Sequence, residues 1–503
     1  MTISDRLALT IAILAVFITA WIAIVIFEEL PHLEDEYAYI WSAQTISAGH
    51  LMIPSPPEPK NFLVPFVVDH QGQRFSKYPL GWPALLSLGE RFDLRTWINP
   101  LLAGLGIWLI YRLAQKVFGD LVGLLAAGLT LTSPFFLMNS SVLLSHPWGL
   151  VLSAAFTLFW LDVVDQPKVI PGWLPPLGAG LTLGALILSR PLTALGLGIP
   201  FGIHGLFLII RGDHAVRVKI FTTGAIVLFV GSLHFLWQYA LTGNPWCNPY
   251  TLWWPYDRLG FGPGYGVTEQ GHSFSLAWQQ AKRSLNAGYS DLFGWGKFSW
   301  LFLPFGMWAG RKRKKSWLII TIFPTLVAIY AAYWVGSWLF GPRYYYETLP
   351  VLVILSAAGI AYLAGWKGFH TKSSIQPKGL HAARPIFVAG LVALLIGANM
   401  IYYIPGRIGS MKGLFGTTGA QLTPFLSADA QNLTPALVVV HAENWRDYSV
   451  LLELSDPLLE SPFIFTYSRG VKEDAAGAVH FPDRNVWHYY PDDPFRFYTA
   501  PRQ

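Results

Sequence analysis

From Leu7 to Phe27 the chain runs 21 residues without a charge. That is long enough to cross the roughly 30 Å hydrocarbon core of a bilayer as a helix. No small-residue cleavage pattern precedes the Glu28-Glu29 flank, so the run reads as a retained first span rather than a removed signal. Ten more apolar segments follow, at about 97–115, 121–138, 147–164, 174–189, 191–210, 220–241, 299–310, 317–340, 345–364 and 385–404. The expected fold is therefore an α-helical polytopic membrane protein with about eleven transmembrane helices. Composition agrees, because only 13% of the 503 residues are charged, against about 25% in soluble domains. The 22 Trp and 22 Tyr suit interfacial belts. The net charge of +6 sits in short loops between apolar runs, which does not point to nucleic acid. A single cysteine, Cys247, excludes an internal disulfide framework.

Four basic loops fix an expected orientation. They hold Arg112 and Lys116; Arg211, Arg217 and Lys219; the run Arg311 to Lys315; and Lys367, Lys372, Lys378 and Arg384. With eleven spans all four fall on one side, which the positive-inside rule makes cytoplasmic. The N-terminus is then cytoplasmic, and loops 29–97 and 242–298 and the tail lie outside a plasma (inner) membrane. Residues 1–404 form the membrane domain. The polar tail, 405–503, reads as a small extracytoplasmic α/β domain, with strands at 436–441, 462–467 and 485–490 and a helix at 445–454. Within the first loop, Glu34 to Gly49 has helical spacing and is expected to lie as an amphipathic helix on the membrane surface. Pro79 to Gly89 is apolar but too short to span, so it reads as a re-entrant or interfacial helix. No repeat, GxGxxG or P-loop is present.

Under this topology, ionisable residues gather at the outer ends of spans. The acidic stretch Glu34-Asp35-Glu36 follows the first span. Lys77 precedes the short apolar segment, and His146 opens the fourth span. Arg190 and Arg343 occupy very short outer turns, Ser189-Arg190-Pro191 and Gly341-Pro342-Arg343-Tyr344-Tyr345-Tyr346. Arginines there run against the positive-inside tendency and call for an anionic partner, either the Asp35/Glu36 pair or a phosphate at headgroup depth. A carboxylate beside cations could deprotonate an acceptor hydroxyl while the cations stabilise a departing phosphate. The same acids also suit a solvated helix start, and the tyrosines an aromatic belt. Loop 244–272, rich in Trp, Tyr and Gly, reads equally as a lid or acceptor wall and as a loop resting on headgroups. His272 within it lacks identifiable metal partners.

The Asp-Glu after the first span, Lys77-Tyr78-Pro79-Leu80-Gly81 before a short helix, and Arg343-Tyr344-Tyr345 before a late span resemble the integral-membrane C-type glycosyltransferases. These include protein O-mannosyltransferases and the aminoarabinose transferases of lipid A. The resemblance covers roughly residues 1–365. It implies inverting sugar transfer from a polyprenyl-phosphate donor on the outer face to a hydroxyl of a lipid, glycan or protein. It also implies Asp35 as base or acceptor-orienting group and Lys77 on the phosphate; Glu36 as a helper of Asp35, and Arg190, Arg343, Tyr345 and His146 from topology, complete the expected site. Two positions depart from the aminoarabinose pattern: Ser76 stands where a metal-binding Glu is found, and Ala38 where a phosphate-contacting Arg is found. No cofactor is certain and a divalent metal stays open. The rival reading is a transporter or lipid flippase, which calls for paired broken helices and mid-membrane charges; a non-catalytic scaffold is the third.

Overall fold

The computed structural model describes residues 1–165, 171–366 and 380–502. Helix α1 (Ile3–Val25) begins at a Thr2/Asp5 capping box. It packs against α4 (Arg95–Phe118), where Tyr111 donates to Asp5 at 2.9 Å. Then come α5 (Asp120–Leu131), α6 (Pro134–Ser140), α7 (His146–Asp165), α8 (Leu174–Ser189), α9 (Pro191–Arg211) and α10 (His214–Thr242). The late helices are Leu303–Gly310, Lys314–Ile320, Ile322–Tyr330, Leu349–Leu363 and Leu380–Ala398.

Eleven continuous spans are not what forms. Among the described residues seven helices are long and apolar enough to cross a membrane, or eight if α5 and α6, bent by 63°, make one span. Helix α8 has 16 residues, short of a full crossing. The 299–310 segment is a 3-10 turn followed by an eight-residue helix. The 317–340 segment breaks at Thr321 and leaves the helix after Tyr330. Pro324 explains the break: it lacks an N–H, and its ring crowds the carbonyl four residues earlier, at Ile320. Of the fourth basic loop, Lys367, Lys372 and Lys378 lie outside the described residues.

The first loop folds around α2 (Glu34–Ser47). This helix is not laid on a membrane surface with one face in solvent. Ala38, Tyr39, Ile40 and Ala43 pack into the membrane bundle. The opposite stripe, Tyr37 and Trp41, packs with Trp445 and Leu452 of the tail. Both faces are covered because the tail docks on Tyr37 and Trp41, two of the apolar positions that the helical spacing assigned to the membrane surface. The ion pairs and hydrogen bonds that fasten it include Arg446 to Glu34 (2.7 Å), Glu453 to Arg95 (2.5 Å), and the Gly419 amide to Glu28 (2.7 Å). The expected short helix is α3 (Gly81–Arg91), packed beneath α2. An antiparallel sheet in the order β1-β3-β2 precedes it, with β1 (Ile53–Pro54), β2 (Val67–His70) and β3 (Gln73–Ser76). Gln71 and Gly72, both at positive φ, make the two-residue turn between β2 and β3. This is the geometry that matches strand twist, and it delivers Ser76-Lys77-Tyr78 to the bundle.

The tail carries strands β4 (Ala436–Val440), β5 (Phe463–Tyr467), β6 (Asn485–Tyr489) and β7 (Phe497–Tyr498), ordered β5-β4-β6-β7. β4 runs parallel to both neighbours and β7 is antiparallel. The apolar run of β4 fits a strand buried on both faces. The expected 445–454 helix is an α turn continued as 3-10. Helix Val471–Ala478 and strand β7 had no clear sequence signal; nor did the 18-residue helix Phe274–Asp291 in the second loop.

Candidate active site

One cavity of about 260 Å³ lies where α2, the end of β3, the start of α7, the α8–α9 break and loop 248–259 meet. Asp35, His146, Arg190 and Arg343 all line it. Each arrives for a local reason. Asp35 sits in the first turn of α2. Pro147 sits in the opening turn of α7 next to His146, where its missing N–H costs nothing. Pro191 drives the preceding residue out of helical geometry, so Arg190 (φ −143°, ψ 76°) points from a break between two helix ends. Gly341 (φ +72°) lets the chain turn where a Cβ would strike the Phe135 ring at 2.6 Å. Arg343 follows in a short 3-10 turn.

Two polar lines run along the wall. In one, Asp35 accepts from the Tyr78 hydroxyl and pairs with Arg343 at 3.2 Å. In the other, Arg190 pairs with Glu347 at 2.8 Å and donates to Ser145 (3.0 Å) and Tyr330 (3.3 Å). Tyr39 reaches the same Ser145 hydroxyl at 3.3 Å. Both ring nitrogens of the buried His146 lack a hydrogen-bond partner among the described residues. Burial pushes the Tyr78 and Tyr250 hydroxyls well above their ordinary range, so both stay neutral donors at physiological pH.

Three expected residues stand elsewhere. Lys77 does not line the cavity. Its ammonium is buried 3.1 Å from Asp257, under the rings of Phe66, Tyr250 and Trp254. Tyr345 points into a separate crevice with Phe135 and Leu352, and Tyr344 takes the cavity wall instead. Glu36 faces away from the cavity and is fully buried. One of its oxygens accepts from the His32 and Leu33 amides and the other from the Leu143 amide, stapling the start of α2 to the segment before α7. His272 donates to or accepts from its surroundings as a packed residue, with Nε2 2.9 Å from the Ala331 carbonyl. Among the described residues no group of three or more His, Cys, Asp or Glu is arranged to hold a metal.

The Glu36 geometry carries a pH prediction. Burial raises its pKa to about 7, against the pull of the three amides. Its unfolded value is near 4.5, so between these values the folded chain binds more protons and stability falls as pH rises. Melting temperature is expected to drop by a few degrees between about pH 5 and about pH 8. Glu36→Gln should flatten that drop while lowering the whole curve, since an amide cannot accept on both sides. An equal slope in the variant would refute the assignment.

Sequence reading missed Glu347 and left Asp257 and Arg258 without roles, although loop 248–259 contributes Asn248, Tyr250, Asp257 and Arg258 to the wall. Glu347 had a signal: an acid heading an apolar span, four residues after Arg343.

At the far end of α7 from His146, Asp165 pairs with Lys116 (3.0 Å) and Lys315 (2.6 Å). Arg384 likewise binds carbonyls at the far end of the Arg343–Leu363 helix. Twenty helical residues rise about 30 Å, so the cavity and the basic loops occupy opposite ends of the bundle.

A family model described as dolichyl-phosphate-mannose-protein mannosyltransferase matches residues 87–237. No curated protein sequence matches the chain. Among solved structures, the fold is similar to ArnT from Cupriavidus metallidurans bound to undecaprenyl phosphate. That match has a TM-score of 0.58 and 13% identity, and covers 96% of this chain and 89% of that one. It is also similar to the archaeal oligosaccharyltransferase AglB from Archaeoglobus fulgidus, in complex with an inhibitory peptide and a dolichol-phosphate. There the TM-score is 0.53 and the identity 13%, over 96% of this chain and 69% of that one. The chain therefore shares its fold with these membrane glycosyltransferases, and its residues 87–237 carry the match to the mannosyltransferase family model.

Proposed function

We propose that the chain moves a sugar from a polyprenyl-phosphate donor to an acceptor hydroxyl at the extracytoplasmic face, with inversion at the anomeric carbon. The observation that carries this reading is the cavity that Asp35, Arg190 and Arg343 line together; the second carboxylate on its wall, Asp257, is already held by Lys77, Tyr333 and Trp334. The acceptor oxygen gives its proton to Asp35 and attacks the anomeric carbon. The bond from that carbon to the phosphate oxygen breaks, and the polyprenyl phosphate leaves with the electron pair. Arg190 and Arg343 offset the charge that gathers on the phosphate. Neutral Tyr78 orients Asp35, and His146, with both nitrogens unused, offers a hydrogen bond to the donor or the sugar.

Orientation is supported by the ends of α7. The lysine-rich loops lie about one membrane thickness from the cavity, and the positive-inside rule assigns them to the cytoplasm. Lys77 serves this site indirectly: its pair with Asp257 holds the loop that supplies Tyr250 and Arg258. The tail, docked on the reverse face of α2, steadies the helix that carries Asp35. The acceptor, whether lipid, glycan or protein, reaches Asp35 from the cavity side.

Purified protein in nanodiscs, given polyprenyl-phosphate sugars and a panel of hydroxyl acceptors, is expected to release polyprenyl phosphate and form product of opposite anomeric configuration by NMR. Retained configuration would overturn the single-displacement scheme. Failure with every donor would overturn the transfer reading itself.

A further inference from the structure

Arg190 stands in a break between helices, where the backbone alone does not fix its long side chain. Thr193, three residues on, accepts from its Nε at 3.3 Å; the rest of what fixes it lies on other elements. Glu347, 2% exposed, places Oε1 2.8 Å from Arg190 Nε. That leaves the two terminal nitrogens to reach Ser145 and Tyr330 at the cavity wall. Glu347 follows Arg343 by four residues in the same short turn, and the turn leaves helical geometry at Tyr345 (φ −107°, ψ 19°). The kink turns the two charged side chains apart, so Arg343 meets Asp35 while Glu347 meets Arg190.

The third part is an empty space. Gly149 lies one turn into α7, directly against the pair. A Cβ there would stand 2.3 Å from Glu347 Oε1 and 2.9 Å from Arg190 Cδ. Its φ is ordinary, so glycine is needed for room rather than for backbone freedom. Both contacts fall on the pair itself, and Glu347 is held by packing on all sides.

We infer that Glu347 and Gly149 form a positioning device for Arg190, setting the guanidinium that grips the donor phosphate. The inference rests on the donor reading above and names residues beyond it. Glu347 touches no reacting atom; it acts through Arg190. Shape beside the guanidinium is what matters, so Gln, which fills the same space next to Nε, should serve where Ala fails; the Nε–H itself donates to Thr193 Oγ1 at 3.3 Å.

The test uses full-length protein in nanodiscs, with undecaprenyl phosphate as the binding probe and a polyprenyl-phosphate sugar for kinetics. Glu347→Ala is expected to raise the donor KM and weaken probe binding by about ten- to a hundredfold, the scale of a misplaced binding group. Glu347→Gln should recover to within about threefold of wild type. Gly149→Ala, which removes no functional group, should reproduce the Ala variant's KM change by pushing the pair aside. A Glu347→Ala protein that binds the probe like wild type would overturn the inference. So would a Gln variant no better than Ala, which would show charge balance rather than placement. Should Ala fail to fold, the Gln and Gly149→Ala arms still decide: wild-type KM in Gly149→Ala overturns the inference. Wild-type protein that binds no undecaprenyl phosphate sinks the donor reading, and this inference with it.

Discussion

Asp35→Asn is expected to lower the rate of sugar transfer by about two to four orders of magnitude, the usual contribution of a general base. The substitution is nearly isosteric, and the surroundings tell which way the amide turns. Arg343 can only donate, so the Asn oxygen faces the guanidinium. The Tyr78 hydroxyl can reverse and accept from the new NH2 group. The side chain thus stays in place while the proton acceptor is lost. At the same time Arg343 loses the carboxylate that now pairs with it at 3.2 Å.

Binding and chemistry should therefore part company. With Arg343 released, the donor phosphate is expected to bind Asp35→Asn at least as tightly as wild type. The loss falls on kcat, and KM for the donor stays level or drops. A transition-state interaction removed without loss of ground-state binding has that kinetic form. Single-turnover assays with saturating donor measure it directly. Full transfer by the variant would remove Asp35 from the role of base. Loss of donor binding together with rate would instead make Asp35 a structural partner of Arg343.

The pieces of this site differ in how far they can be read without coordinates. Asp35, Arg190, Arg343 and His146 declare themselves because a charge at the end of an apolar span is costly and so conspicuous. The strands of the tail are legible too, since Ala436 to Val440 is a short apolar run bounded by turn residues. What sequence leaves out is pairing across distance. Lys77 looks like a free cation until Asp257, 180 residues away, is found beside it. Glu36 resembles its neighbour Asp35, yet the 100° step of the helix turns it into the protein, onto three backbone amides. Tyr345 fails for the same reason, as the middle of three tyrosines in a tight turn that sends neighbours to different sides. The helix count fails on local chemistry: Pro324 splits a segment whose average hydropathy reads as one span.

Asp257→Asn should be the most destabilising of the conservative substitutions at this end of the molecule. The Lys77–Asp257 pair has side chains only 3% and 1% exposed. Breaking a buried pair by removing one partner costs about 3–5 kcal/mol, because the remaining charge is left without compensation. The two halves are not equivalent. Asp257 keeps the Tyr333 hydroxyl at 3.0 Å and the Trp334 indole at 3.1 Å when Lys77 is removed. Lys77 keeps only ring faces, the nearest 3.8 Å away, and a desolvated cation–π contact returns about 2 kcal/mol. Lys77→Met should thus cost less than Asp257→Asn. The double variant should recover much of the loss, since it leaves no buried charge. Melting of all four proteins in detergent gives the cycle, and additive losses would show that the pair is not coupled. The pH dependence has a definite sign. Burial already pushes the Lys77 ammonium below its ordinary range, and Asp257 opposes that push. Without Asp257 the folded chain sheds this proton more readily than the unfolded chain, so the variant binds fewer protons when folded and gains stability as pH rises toward the unfolded lysine value. The gap between Asp257→Asn and wild type should therefore narrow from about pH 7 to about pH 10. A gap that widens would mean Lys77 stays charged, held by partners other than Asp257. Because the pair anchors the loop bearing Tyr250 and Arg258, the donor KM should rise in both single variants at temperatures well below their melting points, tying the stability of this contact to the shape of the cavity.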